Sequence, residues 1–132
     1  MLRRFIVLGV LGLLASCSSS PGSPKDDILI EIEHSAFRPA SITVEPGATV
    51  TFVVRNTDPI DHEFLLGDEE VQAVHEKGTE KHHGAKPGEI SVPAGEERTT
   101  TYTFPADVDE LIYGCHLPGH YAFGMRGLVK IR

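Results

Sequence analysis

The chain has 132 residues, with 12 Lys or Arg against 19 Asp or Glu, a formal net charge of −7, two Cys and no Trp. That length supports one small domain with a real core. The acidic balance argues against nucleic acid as a partner and against binding anionic lipid by charge.

In chain order, Arg3 and Arg4 precede an almost wholly apolar run from Phe5 to Leu14. A charged start, a short apolar stretch and small residues beyond it describe a secretory signal. The run is too short to span a bilayer. Leu14-Ala15-Ser16-Cys17 resembles a bacterial lipobox. That resemblance implies cleavage after residue 16 and thioether lipidation of Cys17, so that residues 1–16 are signal and 17–27 are lipidated Cys and tether. Ser18-Ser-Ser-Pro-Gly-Ser-Pro24 has the composition of a flexible linker. Its ten residues to Asp27 reach ~33 Å when extended, enough to hold a domain clear of lipid headgroups. Losing residues 1–16 removes Arg3 and Arg4 and no acid, leaving 10 basic and 19 acidic residues and a charge of −9. That charge favours a basic partner or simply solubilises the chain. With Cys17 lipidated, Cys115 is a lone thiol in an oxidising compartment, with no disulfide partner in a monomer.

The domain proper is expected over residues 28–132. Ile28, Ile30 and Ile32 share one face of a first strand, and Ile42 and Val44 belong to a second. Glu45-Pro46-Gly47 turns the chain. Val50, Phe52 and Val54 then alternate with outward Thr49, Thr51 and Arg55. The same strand, turn and strand logic recurs from Ile90 through Pro93-Ala-Gly to inward Thr100, Tyr102 and Phe104. Leu111, Tyr113 and Cys115 share a face, which puts Cys115 at the inner end of its strand, and Val129 and Ile131 make the final strand. Period-two patterning with Pro/Gly turns predicts an all-β fold: a Greek-key antiparallel β-sandwich or barrel of seven to eight strands.

Residues 68–88 break this pattern. Asp68 to Lys77 predicts two turns of helix, with Val71 and Val74 as the inward side. His75, His82 and His83, with Glu76 and Glu80, give the insertion a metal-binding flavour. Glu80 and His83 would chelate if helix continued. His, Glu and Lys mixtures more often simply face water.

The densest chemistry lies in Gly114-Cys-His-Leu-Pro-Gly-His-Tyr-Ala-Phe-Gly-Met125. It places a thiolate, Cys115, an imidazole, His120, and a thioether, Met125, on one loop. Two His and one Cys with a weak axial Met is the ligand signature of blue-copper electron-transfer sites. His62, after the turn-rich Asn56-Thr-Asp-Pro-Ile-Asp61, is the candidate for the second imidazole. Gly119 and Gly124 allow the loop to turn tightly. Copper ligation would also protect a thiol otherwise exposed to oxidation.

The run resembles the ligand loop of cupredoxins, the family of plastocyanin, azurin and rusticyanin, where one His is followed far downstream by Cys, His and Met. Phe37 to Val44, Pro46-Gly47, Val50 to Asn56 and His62 extend the likeness over most of the chain from Ala36 to Arg132. The resemblance implies one type 1 copper on His62, Cys115, His120 and Met125. It also implies a one-electron carrier rather than an enzyme, with His120 as electron port and Leu117, Pro118, Tyr121, Ala122 and Phe123 as an apolar docking patch for a redox protein.

Two positions depart from the family. Asn often follows the first His, and Ser or Thr the Cys; here Glu63 and His116 do. His116 is read as supporting the ligands or facing solvent; a red-copper variant with a carboxylate ligand, for which Glu63 is the nearest candidate, is the weaker alternative. Cys115 to His120 also resembles a multicopper-oxidase loop. There a His precedes the Cys, whereas Gly114 stands here, and the paired His-x-His motifs of a trinuclear centre are absent. The second function held open is a lipoprotein that buffers or delivers copper, capturing it through His75, His82 and His83. Either way the expected protein is monomeric and anchored to a bacterial membrane on its periplasmic or cell-surface side.

Overall fold

The computed structural model describes residues 27–78 and 85–132. The expected signal, Cys17 and most of the tether lie outside the described residues, as do Glu80, His82 and His83. Among the described residues, nine strands form two packed sheets, with one helix beside them. The strands are β1 (Ile28–Glu33), β2 (Ala36–Arg38), β3 (Ser41–Val44), β4 (Thr49–Asn56) and β5 (His62–Gly67), followed by helix α1 (Glu69–Gly78). Then come β6 (Glu89–Val92), β7 (Glu97–Thr103), β8 (Glu110–Gly114) and β9 (Arg126–Ile131). One sheet runs β2-β1-β4-β7 and the other β3-β9-β8-β5-β6.

The expected sandwich is present, with two adjustments. The count rises to nine because Ala36–Arg38 is a three-residue strand, too short to show alternation. The sandwich is also not wholly antiparallel: β1 pairs with β4 and β3 with β9 in parallel. Both parallel pairs join strands separated by a crossover between the sheets, which sequence alternation does not report.

The inward residues read from period two are the core. Ile30, Ile32, Phe52, Val54, Phe104, Tyr113, Val129 and Ile131 are all buried in one cluster. Phe37, Phe52, Phe64 and Tyr113 form its aromatic centre; Phe64 lies 5.6 Å from Tyr113 and 5.3 Å from Phe52 between ring centroids. The Tyr113 hydroxyl donates to Pro39 O at 2.5 Å, which satisfies its one polar atom.

β5 is buried at all six residues. Phe64 and Leu66 enter the core, while Leu65 and Gly67 are covered from outside by α1. Asp68 caps that helix: its Oδ1 accepts from Val71 N at 2.8 Å and its carbonyl accepts from Gln72 N. Glu69 and Glu70 in the first turn and His75 and Lys77 in the last complement the helix dipole.

The expected inward side of α1 is corrected. Val71 and Val74 are 42% and 65% exposed, and the fully buried side chain is Gln72. At the centre of the contact the sheet offers the carbonyls of Leu65 and Ile112, so the Gln72 amide fits where a valine would leave acceptors unmet.

Gly127 of β9 lies under the Tyr113 ring, and a Cβ there would come within 2.2 Å of it. Gly127→Ala should therefore lower the denaturant-unfolding free energy by about 1–3 kcal/mol through overpacking, read from urea titrations of the metal-free domain.

Candidate metal centre

β5 and β8 are antiparallel neighbours, with Leu65 opposite Gly114. His62 at the start of β5 and Cys115 just past the end of β8 therefore reach the same end of the sandwich. The chain then loops through His120 and returns at Met125 into β9. The loop holds itself by backbone bonds: His120 N to Leu117 O, Phe123 N to Gly119 O, and Met125 N to His120 O. Cys115 N donates to Met125 O at 3.2 Å, tying the loop's two ends. Gly119 and Gly124 have φ of 85° and 97°, the left-handed turns for which glycine is suited.

This arrangement brings three of the four expected ligands to one point. One donor atom from each of His62, Cys115 and His120 lies within 4.8 Å of the others. Cys115 Sγ is 3.3 Å from His120 Nδ1 and 3.9 Å from His62 Nδ1. The fourth, Met125, is buried, with its backbone bonded to both His120 and Cys115. Two imidazoles, a thiolate and a thioether make a soft set suited to copper, and the burial of His62, Cys115 and Met125 shields it. His120 alone of the four is partly exposed.

His62 is set by a network that the sequence reading missed. Its Nε2 lies 2.9 Å from Asp58 Oδ2, which leaves Nδ1 as the free lone pair facing Cys115. Asp58 is itself held by the amides of His34 and Ser35, each at 2.7 Å. Those two residues both take φ of 53°, an unfavourable conformation for non-glycine residues that points both amides at one carboxylate. Asn56, fully buried, donates to Ile60 O and Val92 O and accepts from Asp58 N. Thr57 Oγ1 donates to Ile32 O, and Asp61 accepts from Ala94 N. The turn before His62 is thus fastened to the ends of β1 and β6. The density of Asn, Thr and Asp in residues 56–61 was the available signal, since such side chains bond nearby backbone.

Cys115 Sγ accepts from Glu63 N at 3.3 Å. A main-chain group thus meets the sulfur, so the Glu at 63 costs nothing there. Its carboxylate turns away from the centre, with Oε2 3.6 Å from His75 Nε2 on α1. That geometry removes the reading of Glu63 as a copper ligand. His75 itself joins this second group beside α1 and not the three-donor cluster. His116 is buried and meets Gln72 and Glu76 of α1. Gly114 admits no side chain: a Cβ would meet Gln72 Oε1 and the Tyr121 ring at 2.8 Å.

Burial pushes the Cys115 thiol up to about 11, with the Glu63 and Leu117 amides working against it. Burial holds the His62 imidazole below its ordinary value, opposed by its bond to Asp58. Burial alone would raise the Asp58 carboxyl; the Ser35 and His34 amides and His62 together outweigh it and keep the group below the usual carboxylate range.

The chain matches the model of the copper-binding plastocyanin/azurin family over residues 25–132. It is 35% identical over 99 residues to the copper-resistant cuproprotein CopI of Rubrivivax gelatinosus, covering 73% of this chain and 59% of that protein. It thus spans less than two thirds of that relative's length. It is 29% identical over 171 aligned positions to the CopI of Pseudomonas aeruginosa, covering 96% of this chain and 93% of that one. The crystal structure of dithionite-reduced auracyanin from the photosynthetic bacterium Roseiflexus castenholzii superposes with a TM-score of 0.67 at 26% identity, over 84% of this chain and 99% of that one.

These environments give the metal-free domain a stability dome. The lowered His62 and Asp58 values mean that the unfolded chain binds more protons in acid. Stability should fall as pH drops below 6.5 through the folded His62 value, and again below 3.8 through that of Asp58. The raised Cys115 value means that the folded state keeps its proton longer, so stability should also fall between pH 9 and about 11. Urea titrations across pH check this, with Asp58→Asn removing the lowest acid step and Cys115→Ser removing the loss that begins near pH 9, while the raised Tyr113 value leaves a further fall between pH 10 and about 12.

Proposed function

The chain belongs to the plastocyanin/azurin family of copper-binding proteins, and from that membership we propose that it holds one copper in a type 1 site and acts outside the cytoplasm as a one-electron carrier. The observation that carries this reading is the convergence of His62, Cys115 and His120 on a buried point with Met125 beside them. Bound copper would supply a one-electron couple between Cu(I) and Cu(II). The protein's part is to keep the donors still. His62 is fixed through Asp58, Cys115 through the Glu63 amide, and His120 and Met125 through their shared loop. Ligands that barely move between oxidation states allow fast transfer, and placing them on rigid elements supplies that.

His120 would be the port, being the partly exposed donor. Around it Pro118, Ala122 and Phe123 are exposed, Phe123 at 93%, a surface suited to an apolar redox partner. Export and lipidation at Cys17 rest on the signal and lipobox-like residues, and no described helix is long and apolar enough to cross a membrane.

The second reading is copper tolerance by buffering or delivery. The observation in its favour is the name carried by the curated relatives, copper-resistant cuproprotein. His75 and the His82/His83 pair would then add capture sites. Both readings use the same centre and differ in whether copper leaves it.

Copper(II) added to residues 28–132 should give an intense thiolate charge-transfer band that Cys115→Ser abolishes, since the colour needs the copper–sulfur bond. Met125→Leu should keep the band and raise the potential, because only a weak axial donor is lost. The carrier reading expects one copper per chain and reversible voltammetry, unaffected by His82→Ala/His83→Ala. Additional tightly held ions lost in that double variant, or copper surrendered to a chelator on reduction, would favour the tolerance reading.

Anchoring has its own check. Cys17→Ser should release the protein from the membrane fraction, because no basic patch in the tether offers a second attachment. A variant that is cleaved and yet remains with membranes counts against the lipobox.

A further inference from the structure

α1 carries a buried amide and a partly exposed carboxylate that meet the copper loop from outside. Gln72 donates through Nε2 to Ile112 O at 2.9 Å and to Leu65 O at 3.3 Å. Both amide hydrogens are thereby committed to strands β8 and β5, so Oε1 is left to accept. It accepts from His116 Nε2 at 2.7 Å. The other imidazole nitrogen, Nδ1, meets Glu76 Oε2. One ring is therefore held at both nitrogens by one helix.

The face of that ring is held as well. His116 stacks on Tyr121 with centroids 4.4 Å apart and planes at 21°. The Arg126 guanidinium lies 5.6 Å from the Tyr121 centroid. His116 directly follows the donor Cys115, and Tyr121 directly follows the donor His120. The stack thus joins the two residues next to two of the ligands. Gly114, next to Cys115 on the other side, is closed over by Gln72 Oε1 and Tyr121, each 2.8 Å from the place of a Cβ.

We propose that Gln72 and Glu76 are positioning residues for the copper centre: by holding the His116–Tyr121 pair they fix the loop between Cys115 and His120, and with it the angle at which both donors meet the ion. A satisfied polar network selects one arrangement of its members, where an apolar contact of equal area tolerates several. Outer-shell partners of metal ligands act on the metal in the same way. The proposal rests on the type 1 reading above.

The experiment uses Gln72→Met, which keeps length and removes the bonds, and Glu76→Ala, with Glu76→Gln as the conservative control. In the metal-free protein, amide hydrogen exchange from Leu117 to Phe123 should quicken by roughly tenfold in the first two variants, as the loop opens locally. In the copper-loaded protein, the intensity ratio of the thiolate-to-copper bands and the copper hyperfine splitting in EPR should both change. Glu76→Gln should stay close to the parent in all three readouts. Should Gln72→Met fail to fold, Glu76→Ala decides, because that side chain is 45% exposed. Parent-like exchange and parent-like spectra in folded Glu76→Ala and Gln72→Met would overturn the proposal. A parent protein that develops no thiolate band would instead remove the type 1 reading, and the exchange measurement would still report on the brace.

Discussion

The bond from the Glu63 amide to the Cys115 sulfur joins two segments that are 52 residues apart in sequence. It can form only if β5 and β8 pair in one register, since a slip of one residue would turn every side chain of β5 to the opposite face. With Leu65 opposite Gly114, the imidazole of His62 and the sulfur of Cys115 arrive at the same end and on the same side. The aromatic centre enforces that register, because Phe64 must meet Phe52, Phe37 and Tyr113 from the core face. The metal site is in this sense a by-product of packing. Residues far from the donors decide where they stand.

Around that register the structure builds from two directions. From below, the turn at residues 56–61 is bound to β1 and β6 and presents Asp58 to His62. From the side, α1 covers the outer face of β5 and β8 and reaches the ligand loop through His116. An inner His set by a carboxylate and an outer loop set by a helix leave His120 as the donor nearest solvent. The same asymmetry suits a redox carrier, and it also suits a protein that must first admit an ion. This is why the geometry and the names of the relatives support related but distinct uses.

The sequence displayed the sandwich well wherever one face of a strand meets solvent. Residues 28–32, 50–54 and 100–104 alternate because water lies on one side of them. It displayed β5 poorly, because α1 removes water from the second face and Glu63, Leu65 and Gly67 are buried along with Phe64 and Leu66. The donor loop was legible because Cys, His and Met at fixed spacing have little other reason to occur together. Asp58 and Gln72 were not, since a lone carboxylate or amide has no pattern, and its meaning lies in which backbone groups surround it. Val71 and Val74 misled for a related reason. Helical periodicity assumes that the most buried position is apolar, while under α1 that position meets the carbonyls of Leu65 and Ile112 and is taken by Gln72.

The topology places the ends of the domain inside its sheets. β1 lies between β2 and β4, and β9 lies between β3 and β8. The five-stranded sheet cannot close before β9 is in place, because β9 joins β3 to β8, and Cys115 N finds its acceptor on Met125 only when the chain has reached the start of that strand. Such long-range pairing is intrinsically late in folding. A chain delivered amino end first from the ribosome therefore keeps His62 unmatched to the loop of Cys115, His120 and Met125 until the last strand emerges. The complete donor set is thus a property of the finished sandwich and not of the ligand loop alone.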